Sequence, residues 1–344
     1  MMPVTIKDIA KAAGVSHTTV SRALRGNPSI SNNTTALIER LAKDMGYVPS
    51  AVAQSLHAQQ TLTIGMVVTT IADPFIVKVV EGVESVAQAA GYSVFLSTSN
   101  NDPDRELAVV ETFRRRRVDA IIVTSSRVGR LYSSQLDQVQ VPIVLINNQE
   151  EGKYLYSVAV DDEQGAELAG RHLLEYGHRR IAYIGVPDRP KSNERRLAGY
   201  HAAFEQAGIA PDPDLIFSPD AADDFQRGHV AFEAIEAARA TAVFAYNDVI
   251  AIGLMTACAQ HGLAVPGRLS VVGFDDIEPA VYVNPGLTTV HQPRLKLGQL
   301  AMTMVLDLLN GRQAQDQKLA CELRNRASTT KISDFPPSPA INLP

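Results

Sequence analysis

The sequence predicts an all-α helix-turn-helix headpiece, a short further helix, and then two α/β lobes. Three observations carry that reading: helix caps and stop glycines spaced through residues 5–46, β-rich runs that alternate with helical stretches in two rounds from Leu62, and an uneven charge distribution. Residues 1–60 hold six basic and three acidic side chains, whereas the remainder holds 26 and 34. An acidic body with a basic head confines phosphate attraction to one end, as a specific DNA reader on a soluble carrier requires. The length of 344 residues accommodates roughly two to three domains.

Thr5 opens the first helix, and Asp8 three residues on completes a reciprocal capping box. Ile6, Ile9, Ala10 and Ala13 recur at helical spacing, and Gly14 ends the run by taking a backbone conformation that other residues avoid. Val15 plugs the turn. Ser16 caps a second helix from His17 to Leu24, with Val20, Ala23 and Leu24 inward. Ser31 caps a third, in which Ala36, Leu37, Ile38, Leu41, Ala42 and Met45 supply the core and Gly46 the stop. A recognition helix reads bases from its N-terminal end, so His17 and Thr18 are expected at base edges and Arg22 within reach of a guanine. Thr19, Ser21, Ser31 and Thr34 are short hydroxyls suited to phosphates. The plain alternative, an amphipathic helix pair inside a larger fold, needs caps, turn length and the exposed hydroxyl row to coincide by chance.

From Leu62 onward TIGMVVT, SVFLSTS, DAIIVTS and PIVLINN read as strands, separated by the helical IVKVVEGVESVAQAAGY and ELAVVETFRRRR. After Asp161 the pattern restarts, with strands RIAYIGV, DLIFSPD, AVFAYND and SVVGFDD between helices GAELAGRHLLEYG, RRLAGYHAAFEQAG, VAFEAIEAA and VIAIGLMTACAQHG. Such alternation gives parallel strands with crossover helices. RLKLGQLAMTMVLDLLNG reads as a further amphipathic helix, and the proline-rich KISDFPPSPAINLP is expected to be disordered.

Open parallel sheets bind ligands beyond the C-terminal ends of their strands. Asp73 and Phe75 follow the first strand and Asn147 with Asn148 another, while Asn247–Asp248 and Asp275–Asp276 follow strands of the second lobe. Arg196 is expected at the start of a helix facing the same crevice. Carboxylates, amides and a guanidinium suit a polyhydroxylated ligand, because each hydroxyl both donates and accepts. With no Trp in the chain, Phe75 or Phe225 is expected to supply the stacking ring. Asp248 also reads as an N-cap, as do Asp161 and Asp162. The run Arg114 to Arg117 sits at a helix end, where positive charge complements exposed carbonyls, and His178 reads as fixing a turn.

Cys258 and Cys321 lie far apart and give neither a disulfide framework nor a metal pattern. No GxxxxGK[ST], no GxGxxG after a strand, no GxSxG and no HExxH is present, so no enzymatic role, cofactor or metal is expected. No apolar run reaches about 18 residues and the start lacks a charged-then-apolar segment, so neither membrane span nor signal peptide is expected and the location is cytoplasmic. A sugar-binding transport component, the rival from another class, fits neither the missing export signal nor the basic head.

TIKDIAKAAGVSHTTVSRAL followed by GYVPSAVAQSL resembles the N-terminus of the LacI family of bacterial transcriptional repressors. The resemblance extends through DDEQGAELAGRHLLEYGHRRIAYIG, RRLAGY, AYNDVIAIG, SVVGFDD and LTTVHQP, segments that look like the family's effector core, itself similar to periplasmic sugar-binding proteins. It implies a helix-turn-helix domain at 1–48 and a hinge helix and linker at 49–60. It further implies that the hinge, Ala51 to Ala58, is ordered only on DNA and that Leu56 matches the leucine that wedges into the minor groove. It implies periplasmic-binding-protein-like lobes at about 61–160 plus 293–312 and about 161–292 plus 316–330, and a disordered tail at 331–344. The expected DNA-facing set is Thr5, Ser16, His17, Thr18, Thr19, Ser21, Arg22, Ser31, Thr34, Tyr47, Ala53 and Leu56. Arg196, Asn247 and Asp275 match effector-binding positions, Gln292 matches one at the lobe crossover, and Asp73, Phe75, Asn148 and Asp223 are expected pocket liners.

The partners so implied are a pseudo-palindromic double-stranded operator, a second copy of the chain sharing its two-fold axis, and a small polar effector. A monosaccharide or sugar derivative is the expected effector, with a purine or nucleoside as the alternative. The family's purine-type pattern sets an aromatic ring after the strand ending at Asn147-Asn148, and here an amide stands there. No leucine heptads follow the core, so a dimer is expected.

Overall fold

The structure, a computed structural model, describes residues 4–47, 60–126, 141–147, 155–187 and 189–335. Two compact units divide it, Met1–Thr61 and Leu62–Pro344.

The first unit contains α1 (Ile6–Ala13), α2 (His17–Ala23) and α3 (Asn32–Asp44). The Asp8 carboxylate accepts from the Thr5 N–H at 2.8 Å and from the Thr5 hydroxyl at 2.6 Å, which fixes the start of α1. Gly14 closes that helix at φ 66°, in the left-handed region that glycine enters without a Cβ penalty. Ser16 and Ser31 accept from the N–H groups of Thr19 and Thr34, occupying donors that each new helix leaves unpaired. Ile9, Val20, Ala23, Ile38 and Ala42 form the centre. Ala36 and Leu37, expected inside, are exposed. The stripe that meets the other helices runs through Ile38, Leu41, Ala42 and Met45 at helical spacing, and residues 36 and 37 fall off it.

The second unit opens with β1 (Thr63–Val68), α4 (Pro74–Ala89), β2 (Ser93–Thr98), α5 (Pro103–Arg115), β3 (Ala120–Thr124), β4 (Ile143–Ile146) and β5 (Leu155–Val160). A second round follows: α6 (Asp162–Glu175), β6 (Ile181–Ile184), α7 (Pro190–Gln206), β7 (Ile216–Phe217), α8 (Asp224–Val230) and α9 (Phe232–Ala237). It continues with β8 (Ala242–Ala245), α10 (Asp248–Gln260), β9 (Ser270–Asp275), α11 (Pro279–Tyr282) and β10 (Thr288–His291). The chain then returns through α12 (Arg294–Leu309), β11 (Gln317–Leu319) and β12 (Glu322–Arg324).

These strands form two sheets of matching order, β11-β5-β4-β3-β1-β2 and β12-β10-β9-β8-β6-β7. All pairings are parallel except β10 with β12. In both sheets the order reverses beside the first strand, β1 in one and β6 in the other, and that reversal opens a crevice beyond the strand ends. Both sheets are covered by helices, so β1, β3 and β4 in one and β6, β8 and β9 in the other read as continuous apolar runs.

The chain crosses between the lobes after Val160, near Gln292 and between Leu319 and Glu322. Gln164 ties two of these crossings, accepting from the Cys321 N–H at 2.9 Å and donating to the Cys321 carbonyl at 3.3 Å. Both cysteines are buried.

Three sequence expectations change. β11 pairs with β5 in the first sheet, whereas residues 316–330 were assigned whole to the second lobe; only β12 joins that sheet. Residues 331–335 are not a free tail, because the Ile332 N–H donates to the Tyr176 carbonyl at 2.9 Å and the Phe335 ring lies 5.6 Å from that of His178. The rest of the expected tail, 336–344, falls outside the described residues. Arg196 lies within α7 rather than at its start, since Pro190 begins that helix, as proline's fixed φ favours. The arginine run does end α5, where Glu111 accepts from Arg114 and Arg115 at 2.5 and 2.9 Å. His178 bonds Thr241 and the Thr330 carbonyl.

Helices α4 and α12 approach so closely that a Cβ at Gly82 would collide with the Leu295 carbonyl and one at Gly298 with the Val79 carbonyl. Gly82→Ala should therefore lower the unfolding midpoint of the core by forcing backbone apart, at a cost of roughly 1 to 3 kcal/mol or more. An unchanged denaturation midpoint would show that the helices separate freely.

Candidate functional site

The crevice is assembled from helix starts and strand ends of both lobes. In the first lobe Asp73 caps α4, its carboxylate accepting from the Phe75 N–H at 2.9 Å. Asn147, just past β4, has φ 56°; it accepts from the Val160 N–H at 3.2 Å and donates to Gln292 at 3.4 Å. Gln292, at the lobe crossover, in turn donates to Asp275 at 2.5 Å.

Arg196 is the centre of the second lobe's half. Its guanidinium donates to Asp162 at 2.8 Å and to the Tyr246 carbonyl at 2.5 Å, and stands 3.8 Å from the Asp275 carboxylate. It lies 4.3 Å from the centre of the Tyr246 ring and 3.8 Å from that of Phe274, so aromatic rings replace much of the water that burial removes. Burial works against its charge, but Tyr246, Asp162 and Asp275 outweigh that and hold its pKa above the usual guanidinium value.

A second arginine joins it. Arg189 donates to Asp224 at 2.8 Å and lies 5.7 Å from the Tyr246 ring centre, and Asn247 donates to the same Asp224 carboxylate at 2.7 Å. Ser192 bonds the Tyr246 hydroxyl at 2.7 Å.

Burial pushes the Asp275 carboxyl up to about 7, with Arg196 pulling it down and Asp73 pushing it further up. Burial also raises the Asp73 pKa, partly offset by the Phe75 N–H and by Arg189. Neighbouring Asp276 goes the other way, to about 2, because bonds from His291 and Arg326 outweigh its burial. Asp275 and Asp276 both have left-handed backbones, φ 114° and 55°, which are strained for non-glycine residues and concentrate at working sites.

The structure brings Asp73, Arg196, Asn247, Asp275 and Gln292 together. Phe75 is buried in the first-lobe core, so it offers little ring surface. Asp223 is exposed and caps α8 through the Gln226 N–H; the next residue, Asp224, turns inward in its place. Asn247 caps α10, accepting from the Ile250 N–H, and so takes the role anticipated for Asp248. Asp248 is instead fully buried, bonded by the Thr289 hydroxyl and the Ile277 N–H. Asp161 caps α6, which leaves Asp162 for Arg196. Asn148 lies outside the described residues. Sequence reasoning missed Arg189, Tyr246 and Asp224, although Tyr246 directly follows β8, a position that the strand-end rule marks.

On the headpiece, Thr5, His17, Thr18 and Arg22 are exposed. The hydroxyls of Ser16 and Thr19 bond each other at 2.9 Å, and those of Ser31 and Thr34 at 2.8 Å. Ser21 is engaged by Arg25, and Tyr47 packs partly buried against the headpiece core. Ala53, Leu56 and the hinge segment 51–58 lie outside the described residues.

A capped three-helix head and, in the same chain, a twin-lobed core with a polar crevice define a DNA-binding regulator that carries a small-molecule receptor. Comparison with known proteins agrees: residues 5–50 match the bacterial regulatory proteins of the lacI family, and residues 171–329 match the periplasmic binding protein-like domain. Across 319 residues the chain is 35% identical to the HTH-type transcriptional repressor PurR of Proteus mirabilis (strain HI4320), covering 92% of this chain and 93% of that one. The lac repressor dimer, solved bound to operator and the anti-inducer ONPF, superimposes with a TM-score of 0.83 at 29% identity, covering 96% of this chain and 100% of that one. A LacI family regulator from Enterococcus faecium with bound ribose gives 0.72 at 28% identity, covering 78% and 99%. The protein belongs to the LacI family and is a DNA-binding transcriptional repressor.

Asp275 makes a pH prediction. With its folded pKa near 7 and an unfolded value of 3.8, the folded state binds more protons between those values, so stability falls as pH rises through that range. Asp275→Asn should remove this loss, and its unfolding free energy should gain on the parent's from pH 4 to 7, by at most about 4 kcal/mol. A constant difference across the range would mean that Asp275 ionises normally.

Proposed function

We propose that the crevice binds a monosaccharide or sugar derivative, which controls how a homodimer of this chain grips a pseudo-palindromic operator in the cytoplasm. The observation that supports the effector most is the convergence of Asp73, Arg189, Arg196, Asp224 and Asp275 on one crevice, a set of donors and acceptors fitted to vicinal hydroxyls. A purine or nucleoside needs a free ring face. Here Tyr246 is 4% exposed, with Arg196 and Arg189 near its ring, and Phe75 is 7% exposed. An amide of the Asn147-Asn148 pair stands where the purine-type pattern sets an aromatic ring. The bound ribose of the Enterococcus relative favours the same reading.

For DNA, the exposed start of α2 presents His17 and Thr18 to base edges and Arg22 to a guanine. The hydroxyls of Ser16, Thr19, Ser31 and Thr34 face phosphates, and the hinge helix with Ala53 and Leu56 enters the minor groove. Two heads on a two-fold axis read two half-sites. Among the described residues no helix is long and apolar enough to cross a membrane; the cytoplasmic placement rests on the DNA partner. A coupling of roughly 1 to 3 kcal/mol between crevice and operator changes occupancy about 5- to 150-fold.

A thermal-shift screen of the purified protein against pentoses, hexoses, their phosphates and nucleosides should give a stabilising sugar or sugar phosphate, and Asp275→Ala should abolish that shift while gel retardation persists. Stabilisation by nucleosides alone would overturn the sugar assignment. Arg22→Ala should cost roughly 1 to 3 kcal/mol of discrimination against a wrong base while non-specific binding survives. Equal loss on every duplex would show that Arg22 touches phosphate only.

A further inference from the structure

Arg294 is a buried arginine bonded to both lobes. It is the first residue of α12, two positions beyond the crossover residue Gln292, and only 7% exposed. One guanidinium nitrogen donates to the Pro74 carbonyl at 3.1 Å and another to the Asp276 carbonyl at 2.6 Å. Pro74 begins α4 in the first lobe, immediately after Asp73, and Asp276 follows β9 in the second, immediately after Asp275. One planar fork therefore joins the lobes at the residues flanking the two facing carboxylates, a geometry that guanidinium holds and ammonium does not.

Both anchors are stiff. Behind Pro74, α4 and α12 pack through Gly82 and Gly298 with no room for a Cβ, so Arg294 and Asp73 ride on one helix pair. The Asp276 carboxylate is held by His291 at 2.8 Å and Arg326 at 2.5 Å, and its left-handed backbone sets the direction of the carbonyl. Separation of the lobes at this end must break one of the two Arg294 bonds and let water reach a buried guanidinium. A second link on the same side, Lys78 to Glu278 at 3.9 Å, is exposed at both ends and contributes little by itself.

We propose that Arg294 is a latch between the lobes: its paired bonds to Pro74 and Asp276 set how readily the crevice opens, and so the concentration at which any effector acts. The latch is a positioning device and is independent of which ligand the crevice takes.

The test uses the full-length protein with no ligand added, so it is separate from the sugar assignment. Nitroxide labels at the exposed positions Gln88 on α4 and Glu205 on α7 report the lobe-to-lobe distance by double electron–electron resonance. The parent should give a narrow distribution, Arg294→Ala a longer and broader one, and Arg294→Lys, which keeps charge and stem without the fork, an intermediate one. Lys296→Ala, which removes an exposed charge two residues further along the same helix, should match the parent. Thermal melts establish that each variant is folded, and if Arg294→Ala fails to fold, Arg294→Lys carries the comparison. Folded Arg294 variants with the parent's distribution would overturn the latch, as would equal broadening in Lys296→Ala.

Discussion

The buried guanidinium of Arg196 is the constraint around which the core is arranged. A permanent cation out of water is costly unless its surroundings replace the lost solvation, and here the replacement comes from several elements at once: Asp162 at the start of α6, the Tyr246 carbonyl past β8, and the rings of Tyr246 and Phe274. The Asp275 carboxylate past β9 stands nearby and is then biased toward its protonated form by burial and by Asp73. That buried array of donors and acceptors, with the Asp275 carboxyl shifted toward neutrality, is the feature on which the proposed effector site rests.

The array depends on topology as much as on chemistry. Each sheet reverses order beside its first strand, and that is why Asp73, Arg189, Tyr246 and Asn247, which lie far apart in sequence, open on the same side. The three crossings between lobes keep the sheets adjacent, and Asn147, Gln292 and Asp275 form a polar chain from one lobe to the other through the second crossing. A ligand that prefers one separation of the lobes shifts the population toward it, and the repressor's grip on DNA follows to the extent that the headpieces favour the same state.

Much of this was legible in the sequence because it rests on local rules. Ser16, Ser31, Gly14 and the apolar stripe of α1 to α3 specify the headpiece by caps and periodicity alone, and the alternation of apolar runs with helical stretches specifies two parallel sheets. What escaped was decided by competition between neighbours. Asp223 and Asp224 are chemically alike, and so are the polar pair Asn247 and Asp248; which member caps a helix and which turns inward depends on where the first helical residue falls, a matter of one position. Strand β11 is only three residues long and finds its sheet through the Asp161 crossing rather than through its own pattern. Arg189 escaped because its purpose is defined by Asp224 and Tyr246, which come close only in the folded chain.

Coupling of crevice to operator has a quantitative signature through linkage. Promoter-fragment affinity of the full-length protein is measured with and without a saturating stabilising sugar, and sugar affinity with and without the fragment. The two ratios should be equal, within roughly 5- to 150-fold. A sugar that binds the core tightly yet leaves both ratios at one would contradict it, since crevice and headpiece would then be independent.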